Sequence, residues 1–346
     1  MEEQKKQYLE FQHFVENSKK ILITSHISPD PDAVCSTLLL GRSLKLEYPS
    51  KNIEMVIEEQ PARDISFLEG YGDIKFNKLL EIAKEIKPDL IIIADAMNYE
   101  RVSRSDGAAI RELAREELGS KLIIIDHHTE IGLESSNLYI NNHLPATVQE
   151  IYELLFNSLG LEKPSGFAEA TLLGIITDTS RFKYDNPKHR QTFGLVSDLL
   201  DAGASIESLE YRLDRYSILQ MKAVANLSKN ITDSGRDYSY SFIDDDLKKD
   251  ASKNPDDFKM ACEEFTNGYV RNIDNNYWGF IVYPEFVNGD TVYSVSFRSV
   301  GGHKDVSLIA GMLGGGGHKA AAGAKFSAKN IEDALDKVRQ AVEDSG

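Results

Sequence analysis

Four short stretches in the first half of the chain combine carboxylates with imidazoles in patterns that suit a metal ion. They are His26-Ile-Ser-Pro-Asp30-Pro-Asp32, Asp95 in Asp95-Ala-Met-Asn98-Tyr-Glu-Arg101, Asp126-His127-His128, and Asp178 in Gly174-Ile-Ile-Thr-Asp178-Thr-Ser. A mixed oxygen and nitrogen donor set suits Mn²⁺, Fe²⁺, Co²⁺ or Zn²⁺ better than Mg²⁺ or Ca²⁺, which favour oxygen shells. Taken singly, each stretch has a plainer explanation. A lone Asp after a strand is more often a helix cap or a turn residue, and a lone His in a loop is usually just solvated. The weight lies in the repetition, because all four fall at the end of an apolar run or helical stretch of one region.

Those runs are Ile21–Thr24, Ile53–Ile57, Leu90–Ala94 and Leu122–Ile125. Three of them are almost pure Ile, Leu and Val, which predicts strands buried on both faces of a parallel sheet. Helical patterns intervene at about 34–47, 77–87 and 106–118 and follow at 146–159 and 165–177, an alternation that predicts an α/β domain over residues 1–187. In open parallel sheets ligands bind at the carboxyl ends of the strands, which is where three of the four stretches fall. Residues 188–230 read as a helical connector. From 231 to 346 the pattern predicts a smaller α+β domain, with strands at Tyr238–Ile243, Trp278–Tyr283 and Thr291–Phe297 and helices near 255–271, 304–313 and 329–343.

The second region carries its own chemical signal, Gly314-Gly315-Gly316-Gly317-His318, preceded by Arg298-Ser299. Consecutive glycines let backbone N–H groups approach an anion. His318 adds a donor, and Arg298 can make a bidentate phosphate contact. The plain alternative is a flexible surface loop. The overall charge is −16, from 39 basic and 55 acidic residues. That balance, without a basic stripe, argues against a grip on long nucleic acid. Short basic spots at Lys183–Arg190 and Arg298–Lys304 suit a ligand with a few phosphates. No apolar segment approaches a membrane span, the amphipathic start (Tyr8, Phe11, Phe14, Val15) does not read as a signal peptide, and two distant cysteines, Cys35 and Cys262, imply no disulfide framework. The expected location is the cytoplasm.

The order of these motifs resembles that of the DHH phosphoesterase superfamily, named for the run seen here as Asp126-His127-His128. The second region, with Ser296-Phe-Arg298-Ser299 and the glycine-histidine run, resembles the DHHA1 substrate domain. The resemblance spans nearly the whole chain. It implies two divalent ions, Mn²⁺ by expectation, one held by His26 and Asp30 and the other by Asp32, His127 and Asp178, with Asp95 bridging. It also implies that His128 faces the scissile phosphate while Asp126 supports the neighbouring histidines. Arg101, Arg298, Ser299, Gly315, Gly316, Gly317 and His318 would contact substrate. Three positions depart from the usual pattern beside the site: Cys35 and Ser180 where Gly is frequent, and Thr129 where Pro is. None is a ligand.

Within that superfamily the length and charge disfavour exonucleases of long single strands, the glycine-histidine run disfavours inorganic pyrophosphatases, and missing membrane helices disfavour membrane-bound cyclic dinucleotide enzymes. The expectation is a stand-alone enzyme that hydrolyses short oligoribonucleotides to mononucleotides and 3′-phosphoadenosine 5′-phosphate to AMP, with a homodimer as the expected assembly. Hydrolysis of cyclic-di-AMP or linear pApA is the alternative, and a non-catalytic nucleotide sensor is the alternative of another class.

Overall fold

The computed structural model describes residues 2–128, 132–183, 185–287, 290–301 and 303–346; Thr129 lies outside them. The chain divides into two compact units, Met1–Asp214 and Arg215–Gly346.

In the first unit the elements run α1 (Glu2–Asn17), β1 (Lys20–Thr24), α2 (Pro31–Glu47), β2 (Asn52–Ile57), β3 (Ile74–Phe76), α3 (Leu79–Ile86), β4 (Leu90–Ala94), α4 (Tyr99–Val102), α5 (Gly107–Glu112), β5 (Lys121–Ile125), β6 (Leu138–Ile140), α6 (Thr147–Tyr152), α7 (Phe167–Asp178), α8 (His189–Asp201) and α9 (Ile206–Leu213). The six strands form one parallel sheet in the order β3-β2-β1-β4-β5-β6. All four expected strands are present. Two more, β3 and β6, are three residues long and too short to leave a run in the sequence. α5 and α6 each pass into a π-type turn, Leu113–Glu117 and Glu153–Ser158. The sheet is covered on both faces. Ile21, Ile23, Ile92 and Ile123 pack under α1, α2, α6 and α7, and Leu22, Ile91, Ile93 and Ile124 pack under α3 and α5.

This strand order has a consequence for the loops. The chain winds outward from β1 through β2 to β3, then returns to place β4 on the other side of β1. Between β1 and β4 the connections leave in opposite directions, which opens a crevice at the carboxyl ends of the strands. Ser25 closes its base by donating from Oγ to the carbonyl of Ala94 at 2.7 Å.

The helical stretch expected as a separate connector over 188–230 is instead divided between the units. α8 and α9 bury Leu195, Leu199, Leu209 and Leu213 in the first core. The next helix, α10 (Ile218–Lys229), buries Ala223 and Leu227 with Phe258 and Phe265 in the second. Each helix carries one apolar stripe, and that stripe is satisfied by its own unit.

The second unit continues with β7 (Thr232–Asp233), β8 (Tyr238–Phe242), α11 (Lys248–Ala251), α12 (Pro255–Phe265), β9 (Trp278–Val287), β10 (Asp290–Ser299), α13 (Val306–Met312), β11 (Gly316–His318), β12 (Ala321–Phe326) and α14 (Ile331–Asp344). Its mixed sheet has the order β11-β12-β10-β9-β8-β7, with β8 and β9 parallel and the remaining pairs antiparallel. α13 and α14 cover one face and α10 and α12 the other.

The glycine run, expected as an anion cradle with a flexible loop as the plain alternative, is an edge strand over much of its length. Gly316, Gly317 and His318 pair with Gly323, Ala322 and Ala321 of β12. A Cβ on Gly315 would lie 2.1 Å from the Gly323 carbonyl oxygen, and one on Gly317 would lie 2.6 Å from that of Ala321. Gly317 also has φ +144°, where side chains are strained. Gly316 faces open space.

Candidate metal centre

All six residues expected as metal ligands converge at the crevice between β1 and β4. His26 lies two residues after β1. Asp30 caps α2, its Oδ1 accepting from the Ala33 amide at 3.0 Å, and Pro31 begins the helix with a fixed φ and no amide to satisfy. Asp32 follows on the first turn and is buried. Asp95 directly follows β4 with φ +60°, a left-handed geometry that Asp tolerates better than most residues. His127 follows β5, and Asp178 is the last residue of α7. Donor atoms of His26, Asp30 and Asp95 lie within 4.8 Å of one another, as do those of Asp32, His127 and Asp178. A third group joins Asp95 to Asp126, His127 and His128.

The hydrogen bonds orient the imidazoles toward a common centre. His26 Nδ1 lies 2.9 Å from the carbonyl of Ile27, to which it can only donate, and its Nε2 faces Asp95 Oδ2 at 3.3 Å. His127 donates to the backbone of Leu144. Its Nε2 is buried without a hydrogen bond and lies 3.1 Å from Asp178 Oδ2 and 3.7 Å from Asp95 Oδ1. Carboxylate oxygens and ring nitrogens crowded at these distances are satisfied by shared protons or by a bound cation.

The carboxylates report the same imbalance. Burial, together with the charge of Asp95, raises the Asp30 carboxyl above its ordinary range. Burial and the charges of Asp95, Asp178 and Asp30 raise Asp32 well above it. Asp178 is pushed up to about 7 by burial and then by Asp95 and Asp30. Asp95 alone is held low: burial opposes its charge, but His26, His127 and His128 outweigh it. The hydrogen bond from Nδ1 to Asp126 Oδ1, 2.8 Å long, raises His128 to about 9. Asp126 also accepts from the amides of His127 at 2.7 Å and His128 at 3.1 Å. The ring of His128 is half exposed, so a charged donor faces outward beside the acidic cluster. Crowded carboxylates with converging ring nitrogens fit divalent ions of the first transition row.

Several residues that hold this arrangement carry no signal in the sequence. Thr147, at the start of α6, donates from its amide to Asp32 Oδ2 and from Oγ1 to Asp95 Oδ1, both at 2.7 Å. The Val148 amide donates to Asp32 Oδ1 at 3.1 Å. Glu150, buried on the same helix, accepts from the amides of Asn142 and Leu144 at 2.7 and 3.0 Å. It thereby fixes the loop whose Leu144 backbone orients His127. Gly174 lies one turn before Asp178, and a Cβ there would sit 2.7 Å from Asp32 Oδ1. A Thr, a Glu and a Gly inside ordinary helical patterns look like any others.

The residues expected to touch substrate are distributed differently. Arg101 lies in the first unit. Its carbonyl accepts from the Ile27 amide at 2.8 Å, joining its turn to the His26 loop, and its side chain is exposed. Arg298, Ser299 and Gly315–His318 belong to the second unit. Arg298 donates to Asn267 Oδ1 at 2.7 Å and to the Phe297 carbonyl at 2.9 Å. Burial and the neighbouring Arg271 lower its pKa. Ser299 is buried, and its Oγ accepts from the Lys304 amide at 2.9 Å.

Known proteins bear on this geometry. Residues 20–175 match the DHH family N-terminal domain and residues 248–344 the DHHA1 domain. The chain carries a DHH domain followed by a DHHA1 domain. This DHH protein is 28% identical over 310 residues to the bifunctional oligoribonuclease and PAP phosphatase NrnA of Bacillus subtilis, a match covering 88% of this chain and 89% of that one. It is also 28% identical over 215 residues to a probable manganese-dependent inorganic pyrophosphatase of Streptococcus pyogenes, covering 60% of this chain and 62% of the relative. A crystal structure of an exopolyphosphatase-related protein from Bacteroides fragilis superposes with a TM-score of 0.79 at 23% identity, covering 98% of this chain and 96% of that one, and shares the fold. The DHH protein is a metal-dependent hydrolase of phosphate esters that uses divalent ions. Among the described residues no helix is long and apolar enough to cross a membrane.

Proposed function

We propose that this protein hydrolyses short oligoribonucleotides to mononucleotides and 3′-phosphoadenosine 5′-phosphate to AMP, using two Mn²⁺ ions. The observation that carries this reading is the division of Asp95 between two donor groups: Oδ2 faces His26 at 3.3 Å and Oδ1 faces His127 at 3.7 Å. His26, Asp30 and Asp95 would hold one ion, and Asp32, His127, Asp178 and Asp95 the other. Bound there, the pair of ions would lower the pKa of the attacking water and neutralise charge on the phosphoryl oxygens.

The chain's own residues supply the rest. Thr147 keeps the bridging carboxylate turned to both groups. His128, raised to about 9 by Asp126, presents a protonated ring for a phosphoryl oxygen and offsets the charge that grows there during displacement. Arg101, Arg298 and the Gly315–His318 strand are the proposed contacts to the nucleotide. The choice of short RNA over other phosphate esters is supported by the similarity to the B. subtilis relative across both units and by the acidic balance of the chain.

The test is a side-by-side product analysis in Mn²⁺ with a five-nucleotide RNA, pApA, 3′-phosphoadenosine 5′-phosphate, cyclic-di-AMP and a long single strand. Rapid release of mononucleotides from the short substrates, with the long strand spared, is the expected result. Preferential opening of cyclic-di-AMP, or digestion of the long strand, would overturn the substrate assignment. No metal-dependent hydrolysis of any of the five would favour a nucleotide sensor.

A further inference from the structure

Immediately beyond Asp178 the chain does something uncommon. Ser180, Arg181 and Phe182 are three successive non-glycine residues with φ of +49°, +60° and +59°. A left-handed turn of this kind costs roughly 1–2 kcal/mol per residue, so it persists only where its surroundings hold it. The amide of Arg181 donates to the Ile176 carbonyl at 2.8 Å, that of Phe182 to Thr179 Oγ1 at 3.1 Å, and that of Lys183 to the Thr179 carbonyl at 3.2 Å. The Arg181 side chain pairs with Glu210 and Asp214.

The turn delivers the Phe182 ring to two others on α8. The Phe182 and Phe193 centroids are 4.9 Å apart, those of His189 and Phe193 5.6 Å, and those of Phe182 and His189 5.9 Å. Phe182 is anchored from below by the core, whereas Phe193 is 51% exposed. Lys188 and Arg190 flank His189 and are exposed, and no described carboxylate pairs with either. In a chain of net charge −16, exposed cations with no described carboxylate partner beside the exposed Phe193 ring, joined by one turn to a metal-centre residue, are not accounted for by packing among the described residues. Aromatic faces interleaved with cations are how proteins hold single-stranded nucleotides without reading sequence.

We propose that Phe182, His189 and Phe193 form a base-stacking platform of the metal-bearing unit, with Lys188 and Arg190 engaging the adjoining phosphates of a short single strand. The inference rests on the proposed nucleotide substrate and adds a contact surface to it. Phe182 and the turn position the platform, Phe193 supplies its outer face, and the two cations supply charge.

The experiment measures binding of a fluorescently labelled 2′-O-methyl phosphorothioate pentaadenylate, which resists hydrolysis, to the full-length Mn²⁺ protein by anisotropy. Cleavage of ordinary pentaadenylate by the unaltered protein is assayed in parallel. Phe193→Ala should weaken binding on the order of tenfold, within the range for loss of one stacked base, at an unchanged thermal midpoint, and Phe193→Trp should restore it. Replacing Lys188 and Arg190 with Ala should flatten the dependence of log affinity on log salt by about 1.4, near 0.7 for each phosphate that is no longer neutralised. Equal binding by Phe193→Ala and the unaltered protein overturns the platform, as does failure of the unaltered protein to bind. A change in sedimentation of Phe193→Ala with binding intact overturns it in favour of a protein-contact surface. Binding that depends on Phe193 in a protein that leaves pentaadenylate uncleaved would sink the proposed reaction and keep the platform. Cleavage with binding indifferent to Phe193 would do the reverse.

Discussion

In the first unit the chemically distinctive residues sit where strands end, whereas in the second the distinctive glycine run is itself largely a strand. The two arrangements place opposite demands on the backbone. At the metal centre, strands stop and loops turn, so that carboxylates and imidazoles from five elements meet in a crevice. At the glycine run, β11 lies so close to β12 that side chains at Gly315 and Gly317 would strike its backbone. A cluster of reactive side chains thus reports chemistry directly, while a cluster of glycines first reports close approach. Any role of those glycines toward a ligand falls on the amides along the free edge of β11 and on Gly314 and Gly316, the two of the four with open space around them.

Five substitutions break or sharpen this contrast. Asp95→Ala removes the carboxylate that faces both His26 and His127, the proposed bridge, and should lower kcat by at least about 10²–10³-fold, read by steady-state hydrolysis in Mn²⁺; near-normal turnover would sink the bridging role. Gly174→Ala inserts a methyl against Asp32 Oδ1 and Val148. It should weaken Mn²⁺ binding by roughly 10–100-fold, measured by calorimetric titration, and an unaltered affinity would mean that α7 shifts to admit the methyl. In the second unit Gly317→Ala should cost about 1–3 kcal/mol in thermal or urea unfolding, while Gly316→Ala should stay within about 0.5 kcal/mol. If the two lose stability equally, β11 is not held as described. The smallest effect belongs to Ser180→Gly. Glycine relieves the left-handed strain at φ +49° but loses more entropy on folding, leaving a net gain of roughly 0.5–1 kcal/mol, seen as a higher thermal midpoint; a loss would place the strain elsewhere.

Much of the first unit was legible because its signals are local. A strand buried on both faces is apolar throughout, so the runs at Ile21, Leu90 and Leu122 announce themselves, and the run at Ile53 does so despite Glu54. Asp30-Pro31 announces the start of α2. β3 and β6 were not legible, because three residues cannot show a period. The helices over 188–230 were legible as helices, but not which core each would join, since an amphipathic stripe states that a face is buried and not against what. The departure of Ser180 from Gly is visible in the chain, and only the backbone shows that this residue occupies a left-handed position.

By itself the sequence determined which donors exist, in what order they come, and that most follow elements of a parallel sheet. Those facts follow from side-chain chemistry and from the hydrophobic patterning of single elements. Only the tertiary structure decided that β4 lies beside β1, so that Asp95 meets His26, and that β5 lies beside β4, so that His127 completes the group. It also recruited Thr147, Glu150 and Gly174, whose importance comes from what lies across the crevice. Strand order and helix approach are set by how whole layers pack, an energy shared among many residues distant in the chain, and no short stretch of sequence carries it.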